Sequence, residues 1–389
     1  MSKPVLNWSD FGPIALVVVQ PTSFCNLNCD YCYLPDRHLK NTLSLELIEP
    51  IFKAIFTSRF LEDDFTICWH AGEPLAVPVN FYESAFALIE SMSHQYNTKG
   101  YGFCHSVQTN ATLINDAWCD LFKKHSVYVG VSIDGPAFLH DAHRKTRKGL
   151  GSHGSTLRGI SFLQKHEIDV HAIAVLTEDS LNYPDEIFNF FWENGITDVG
   201  FNMEESEGVH PISSLNQSGI EQRYRAFMAR FWELVTATEG KFKLREFETL
   251  CSLIYADDRL NHTDMNRPFM IINIDHQGNF STFDPELLSV KTETYGDFIF
   301  GNVLSSSFES ACYTEKFWRV YQDMQAGVIA CRETCPYFGV CGGGAGSNKY
   351  WENGTFRSTQ TNACLYRVKC VTDLILDRLE TLLLNEPVS

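Results

Sequence analysis

The sequence predicts an α/β protein: a partial, open barrel of six β/α units followed by a smaller C-terminal domain. Three observations predict it. From about residue 15 to 240, short apolar runs alternate with amphipathic helical patterns. Continuous apolar runs suit strands covered on both faces, and their alternation with helices gives a parallel sheet. After residue 240 the pattern changes to hairpin-like runs and a cysteine- and glycine-rich segment. The expected boundary therefore divides the chain into 1–240 and 241–389.

The elements follow in order. Ala15 to Gln20 reads as the first strand. Ser44 is a candidate N-cap for a helix carrying Leu47, Ile48, Ile51, Phe52 and Ile55, with Pro50 either starting or kinking it. Strand and helix then repeat: Phe65–Trp69 and Tyr82–Met92, Phe103–Gln108 and Ile114–Phe122, Val127–Ser132 and Leu157–Leu163, Val170–Leu176 and Glu186–Trp192. Val199–Met203 is the sixth strand, and Tyr224, Phe227, Met228, Phe231, Leu234 and Val235 stripe the sixth helix. Ile271–Ile274 and Phe280–Phe283 flank a turn at Gly278 and read as a hairpin, with Phe298–Leu304 as a possible third strand. Val371, Leu374, Ile375 and Leu379 mark a C-terminal amphipathic helix. The 24 residues before Cys25 are expected to hold no separate recognition domain.

Composition narrows the partners. The chain carries 31 Lys and Arg against 48 Asp and Glu, a net charge of −17. That argues against non-specific binding to nucleic acid or to an anionic membrane, both of which need basic surface. The apolar run Ile14 to Val19 is too short to span a bilayer and lacks a basic flank, so no secretory signal is read and a cytoplasmic location is expected. In such a reducing compartment, thirteen cysteines point to metal or cluster chemistry rather than disulfides.

Two cysteine constellations stand out. Cys25, Cys29 and Cys32 directly follow the first strand at C-x3-C-x2-C spacing. Three thiolates can hold three corners of an Fe–S cluster and leave one iron open; a zinc knuckle is the other reading. Cys331, Cys335, Cys341 and Cys364 could complete a second cluster with no open site, or hold a structural zinc. Gly342-Gly343-Gly344 would let the backbone approach closely there. Chemistry in parallel barrels gathers where strands end. There stand His70-Ala71-Gly72-Glu73-Pro74, Gln108-Thr109-Asn110, Ser132-Ile133-Asp134-Gly135-Pro136, the segment His140 to Arg144, and Val175-Leu176-Thr177. The remaining cysteines, among them Cys68, Cys104 and Cys370, read as core thiols, and His140 and His143 as structural histidines.

These motifs resemble the radical SAM superfamily with a C-terminal SPASM-like domain, and more narrowly the cyclophane-forming peptide maturases close to the GrrM/OscB type. The resemblance implies a partial (β/α)6 TIM barrel over 1–240 and a SPASM-like auxiliary-cluster domain with a C-terminal helix over 241–389. It implies a [4Fe–4S] cluster on Cys25, Cys29 and Cys32 whose open iron takes S-adenosyl-L-methionine (SAM). The implied SAM contacts are Tyr31 near adenine, Gly72 and Glu73 at the amino group, and Gln108, Asn110, Ser132, Asp134 and Leu176. Arg144 is implied as a bidentate grip on the SAM carboxylate. Ala71 departs from the family's Gly-Gly-Glu-Pro motif. Phe283 stands where a further cysteine is expected, so one auxiliary [4Fe–4S] cluster is implied, on Cys331, Cys335, Cys341 and Cys364. Asp284 follows Phe283 and is the candidate general base, with hairpin capping as its other reading.

The activity so implied is abstraction of a β-hydrogen from a ribosomally synthesised precursor peptide, then carbon–carbon bonding to an aromatic ring. A reductase, flavodoxin or ferredoxin would supply electrons. The alternatives are a sulfatase-type formylglycine maturase, a thioether-forming maturase, or a zinc-stapled peptide-binding protein without catalysis.

Overall fold

The computed structural model describes residues 6–385. Its centre is a single sheet in the order β12-β9-β8-β1-β2-β3-β4-β5-β6-β7. The six expected strands are present as β1 (Leu16–Val19), β2 (Phe65–Trp69), β3 (Phe103–Thr109), β4 (Tyr128–Ser132), β5 (Val170–Leu176) and β6 (Asp198–Met203), each parallel to the next. A two-residue β7 (Lys243–Leu244) extends the sheet beyond β6. The outermost strands β12 and β7 are not neighbours, so the barrel is open.

The predicted hairpin is β8 (Ile271–Ile274) and β9 (Asn279–Thr282). It does not form a sheet of its own: β8 lies parallel to β1, with Leu16 opposite Ile271 and Val19 opposite Ile274. The central sheet thus runs unbroken across residue 241. After a small separate ladder of β10 (Lys291–Thr292) and β11 (Gly296–Asp297), β12 (Gly301–Asn302) pairs with β9 as the short third strand.

Helices wrap the outside. A 3-10 turn, Leu45–Leu47, is capped by Ser44, whose hydroxyl accepts from the Glu46 amide, and leads into α1 (Ile48–Phe56). Pro50 falls in the first turn of α1, where an amide has no intrahelical acceptor to lose, so it costs no hydrogen bond. The next helices are α2 (Val79–Tyr96), α3 (Asp116–Lys124), α4 (Ala137–His143), α5 (His153–Lys165), α6 (Pro184–Glu193), α7 (Ile220–Thr236) and α8 (Arg245–Tyr255). α4 was not anticipated because it buries only Leu139 and His140 and carries no apolar stripe.

The C-terminal part continues with α9 (Phe308–Ala311), α10 (Glu315–Thr334), α11 (Phe338–Cys341), α12 (Gly346–Asn353), α13 (Asn362–Cys364) and α14 (Val371–Asn385). α10 was also missed, although Phe317, Val320, Met324, Val328 and Cys331 form its buried stripe. Its last turn carries Cys331, and its C-cap is Cys335. A π-helical turn, Leu365–Cys370, follows Cys364. Among the described residues, no helix is long and apolar enough to cross a membrane.

Candidate active site

The parallel strands alternate. One set of side chains packs outward under the helices, and the other faces the barrel interior. On β3 and β4 the interior set ends in Gln108 and Ser132, and the Gln108 amide donates to the Ser132 hydroxyl at 2.9 Å. Cys25, Cys29 and Cys32 lie above them on the loop after β1, at the rim of a cavity of about 290 Å³. Tyr31, Gly72, Glu73, Gln108, Asn110, Ser132 and Arg144 line the same cavity.

Polar contacts fix the cysteine loop. The Leu27 amide donates to Cys25 Sγ at 3.4 Å. Arg37 Nη1 reaches the Cys29 carbonyl at 2.9 Å, and Arg147 Nε the Cys25 carbonyl at 2.7 Å. Asn110 Nδ2 donates to Asn26 Oδ1 at 2.9 Å. Gly72 lies against this loop at φ +60°, and a Cβ there would stand 2.6 Å from the Phe24 carbonyl oxygen. Burial and the nearby Glu73 carboxylate push the Cys25 thiol up to about 12. Burial likewise pushes Cys29 up to about 11. These thiols hold their protons until something electropositive displaces them.

Glu73 is fully buried, and three donors reach it: Thr109 Oγ1 at 2.6 Å, the Asn110 amide at 2.9 Å and the Leu75 amide at 3.0 Å. A carboxylate has about four acceptor positions, so one remains for a ligand. Burial raises its pKa against those hydrogen bonds. Ala71, at φ +75°, takes a left-handed conformation that suits glycine better, which is the physical cost of its departure from Gly-Gly-Glu-Pro.

Two expected contacts need correction. Leu176 is only 1% exposed and packs in the core, whereas Ile173 and Val175 on the alternate face of β5 line the cavity. The expectation was off by one residue, which on a strand inverts the side chain. Arg144 lines the cavity, but its fork is already occupied. Its Nε and Nη2 donate to the two oxygens of Asp134 at 2.8 and 2.9 Å. A bidentate grip on a ligand carboxylate therefore falls away, and Nη1 is the nitrogen left outside that fork. Asp134 does not line the cavity. It also accepts from Tyr31 Oη at 2.5 Å and the Val175 amide at 2.9 Å. Burial pushes its carboxyl up, but Arg144 outweighs this and the net shift is downward. Asp134 thus holds Tyr31 and Arg144 in place from behind.

The histidines are satisfied. His140 Nδ1 accepts from the Asp134 amide at 3.4 Å, and its Nε2 bonds Ser152 at 2.9 Å. His143 pairs with Asp30 at 2.9 Å. Cys119, Cys312 and Cys370 are buried as expected, but Cys68 and Cys104 are half-buried on the interior face of β2 and β3, because strand alternation turns them inward.

Asp284 faces the same cavity as the cysteine triad. It sits at the start of a 3-10 turn, Pro285–Ser289, but its side chain makes no capping bond. Oδ2 accepts from the Ser347 amide at 3.1 Å, while the buried Oδ1 has no partner. Burial, reinforced by Glu286, holds its pKa well above the usual carboxylate range. Phe283 before it is fully buried at φ +75°, a strained conformation for an aromatic residue. The sequence reading missed Glu205, Glu207, Glu286 and Arg367 on this wall.

Cys331, Cys335, Cys341 and Cys364 surround a second cavity, of about 260 Å³. Gly342, Gly343 and Gly344 all take positive φ there, and a Cβ on Gly342 would stand 2.5 Å from the His262 carbonyl oxygen. Asn266 donates to the carbonyls of Gly342 and Gly344 at 2.9 and 3.0 Å. Lys349, only 4% exposed, places Nζ 3.5 Å from Cys331 Sγ. Met265, Ala345, Asn348 and Arg367 line both cavities, so one thin wall separates them. Among the described residues, no three His, Cys, Asp or Glu side chains converge closely enough to hold a single metal ion. The thiols of each set instead line a cavity.

Residues 19–191 match the family model described as the radical SAM superfamily. The chain belongs to the radical SAM superfamily. It is therefore an enzyme of a family whose chemistry implies a [4Fe–4S] cluster and SAM. It is 62% identical to the uncharacterized protein sll1766 of Synechocystis sp., over 96% of this chain and 94% of that one. It is 26% identical to a serine-type anaerobic sulfatase-maturating enzyme of Bacteroides thetaiotaomicron, over 88% of this chain and 85% of that one. Among solved structures it resembles native anSMEcpe with bound AdoMet and Cp18Cys peptide, with TM-score 0.75 and 19% identity over 96% of this chain and 99% of that one. It also resembles Streptococcus suis SuiB bound to precursor peptide SuiA, with TM-score 0.61 and 14% identity over 91% of this chain and 77% of that one. At these identities the likeness is one of fold: a parallel α/β sheet with a C-terminal extension.

Proposed function

We propose that this chain is a cytoplasmic peptide maturase that removes a β-hydrogen from a ribosomally made precursor peptide and joins that carbon to an aromatic ring of the same peptide. Residues 1–240 would hold the SAM-binding cluster on Cys25, Cys29 and Cys32, and 241–389 one auxiliary [4Fe–4S] cluster on Cys331, Cys335, Cys341 and Cys364. A flavodoxin, ferredoxin or reductase would supply the electron. The observation that carries the reading is one of placement. The cysteine triad and the unpartnered Asp284 Oδ1 face one cavity, and that cavity shares a wall with the four remaining thiols.

When bound, the reduced cluster and SAM supply a 5′-deoxyadenosyl radical that takes a hydrogen atom from the substrate, and the auxiliary cluster supplies an acceptor for the electron lost when the ring regains aromaticity. The protein does the rest. Glu73 keeps one acceptor position for the SAM amino group. Asp134 orients Tyr31 and leaves Arg144 Nη1 toward the ligand. Ile173 and Val175 offer an apolar face for adenine. Asp284 Oδ1 accepts the proton released at the second step.

The similarity to sulfatase-maturating enzymes favours a second reading, oxidation of a sulfatase side chain to formylglycine. Against it, no cysteine lies between Cys251 and Cys312, which leaves only one auxiliary site. Both readings are tested on the anaerobically reconstituted enzyme with SAM and dithionite. Deoxyadenosine should form, and substitution of Cys25, Cys29 or Cys32 should abolish it. Tandem mass spectrometry of the product then separates them: a crosslink and a serine-derived aldehyde both lose two hydrogens, but only the crosslink resists backbone fragmentation inside its ring.

A further inference from the structure

We infer that the acidic wall beside the cysteine triad, where the Glu205–Glu207 loop packs on Tyr33 through Gly208 and Val209, is a specificity pocket for a cationic side chain, arginine or lysine, of the peptide; this rests on the peptide reading above. Two segments build the wall. The loop after β6 contributes Glu205 and Glu207, and the turn after β9 contributes Asp284 and Glu286, all lining the cavity. The neighbouring Glu204 is not free for this role. It bonds His210 at 3.0 Å and the Ser214 amide at 2.8 Å.

The pocket is built and incompletely satisfied. Glu207 is 3% exposed and Asp284 fully buried, yet Glu207 Oε1 and Asp284 Oδ1 have no hydrogen-bond partner. A buried acceptor without a donor destabilises the fold, and a ligand donor relieves it. Among the described Lys and Arg residues, only Arg144 and Arg367 line the cavity. Arg144 is held by Asp134. Arg367 acts on Glu205 and Glu286 and not on Glu207 or Asp284, so the cations lining the cavity leave part of the wall uncompensated. Tyr33 lines the cavity too. A ring with carboxylates beside it is a cage for a guanidinium or ammonium, combining charge-assisted hydrogen bonds with cation–π attraction.

The pocket is distinct from the SAM amino position, which Glu73 serves from the loop after β2. A cation held here would fix the peptide's register relative to the triad, and so choose which β-carbon loses hydrogen.

The test uses holoenzyme, anaerobically reconstituted and saturated with SAM. Equilibrium dialysis measures binding of N-acetyl-arginine amide and of its neutral isostere N-acetyl-citrulline amide. The arginine probe should bind at least about tenfold more tightly, one lost charge-assisted contact being worth that much. In the Glu207→Gln/Glu286→Gln double variant the preference should collapse toward unity. Equal binding of the two probes by the native enzyme overturns the inference and needs no variant to fold. An undiminished preference in a folded double variant overturns the assignment to this wall. Deoxyadenosine formation by the same native preparation is read in parallel. Its presence with equal binding sinks the pocket alone, and its absence with strong arginine preference sinks the catalytic reading alone.

Discussion

The pair Asp134–Arg144 makes the sharpest quantitative prediction, because it separates an internal brace from a ligand clamp. Both side chains are buried, at 3% and 7% exposure, and two parallel hydrogen bonds of 2.8 and 2.9 Å join them. Asp134→Ala leaves the Arg144 charge without its counter-ion. Breaking one side of a buried pair costs about 3–5 kcal/mol, and a Coulomb estimate at 4 Å with an effective dielectric of 20 gives about 4 kcal/mol. For a chain of this size that lowers Tm by roughly 5 °C. Arg144→Met should cost a similar amount, since it strands the carboxylate. The double variant should cost about as much as either single variant rather than their sum, so the coupling in the cycle is about 4 kcal/mol, the Coulomb term of the pair. Thermal unfolding of the apo protein by circular dichroism measures all four corners. SAM retention by equilibrium dialysis, run alongside, should fall in both single variants, because each releases Tyr31 and the cysteine loop. The reasoning is refuted if Asp134→Ala shifts stability by less than about 1 kcal/mol, or if Arg144→Met abolishes SAM binding while Asp134→Ala leaves it intact. Arg144 would then be acting on the ligand independently of its partner.

Other consequences follow from single contacts. Gly72→Ala would press a methyl against the Phe24 and Thr22 carbonyls, at 2.6 and 2.7 Å, from a left-handed backbone. Overpacking and conformational strain together cost about 2–4 kcal/mol, so iron retained by the Cys25 loop after gel filtration should drop sharply, whereas Ala71→Gly should be neutral or stabilising. Lys349→Met removes a cation 3.5 Å from Cys331 Sγ. If a cluster occupies the four thiols, its reduction potential should fall by about 100 mV, from a Coulomb term of roughly 2–3 kcal/mol across the cluster radius; an EPR-monitored titration showing no shift would remove Lys349 from the cluster's field. Stability of the apo protein should also depend on pH through the acidic wall. Burial pushes Glu286 up to about 7, from about 4.5 when unfolded. The folded state therefore binds the extra proton, and stability is highest below about 4.5 as far as this group is concerned and declines as pH rises through about 7. Tm should fall between pH 5.5 and 8, and Glu286→Gln should flatten part of that slope.

What the sequence disclosed and what it withheld divide along physical lines. β1 to β6 were legible because each is a local apolar run, and the right-handed β/α rule then leaves little choice of order. The attachment of β8 to β1 was not legible, since a hairpin's internal pattern is the same whichever sheet it joins. That attachment carries Asp284 from the C-terminal part of the chain to the cavity beside Cys25. Leu176 shows a different limit: the strand was read correctly, but the side-chain period of two makes a one-residue error a change of face. For Arg144 the residue type was informative and its partner was not. A guanidinium ten residues from an aspartate could meet it or a ligand equally well, and only the turn after β4 decides.

The acidic wall left a fainter trace. Glu204, Glu205 and Glu207 directly follow β6, where a parallel barrel gathers its chemistry. Carboxylates there deserve suspicion for a reason that does not depend on motif. A solvated acid gains nothing from a strand end, and four of them brought together by elements some 80 residues apart pay a desolvation and repulsion penalty that raises every one of their pKa values. A fold does not need that cost for its own stability: a hydrophobic wall of the same shape would be more stable. The proposed cation pocket supplies a reason for it: Glu207 Oε1 is left for a donor from the peptide, and Asp284 Oδ1 for the proton released in the reaction.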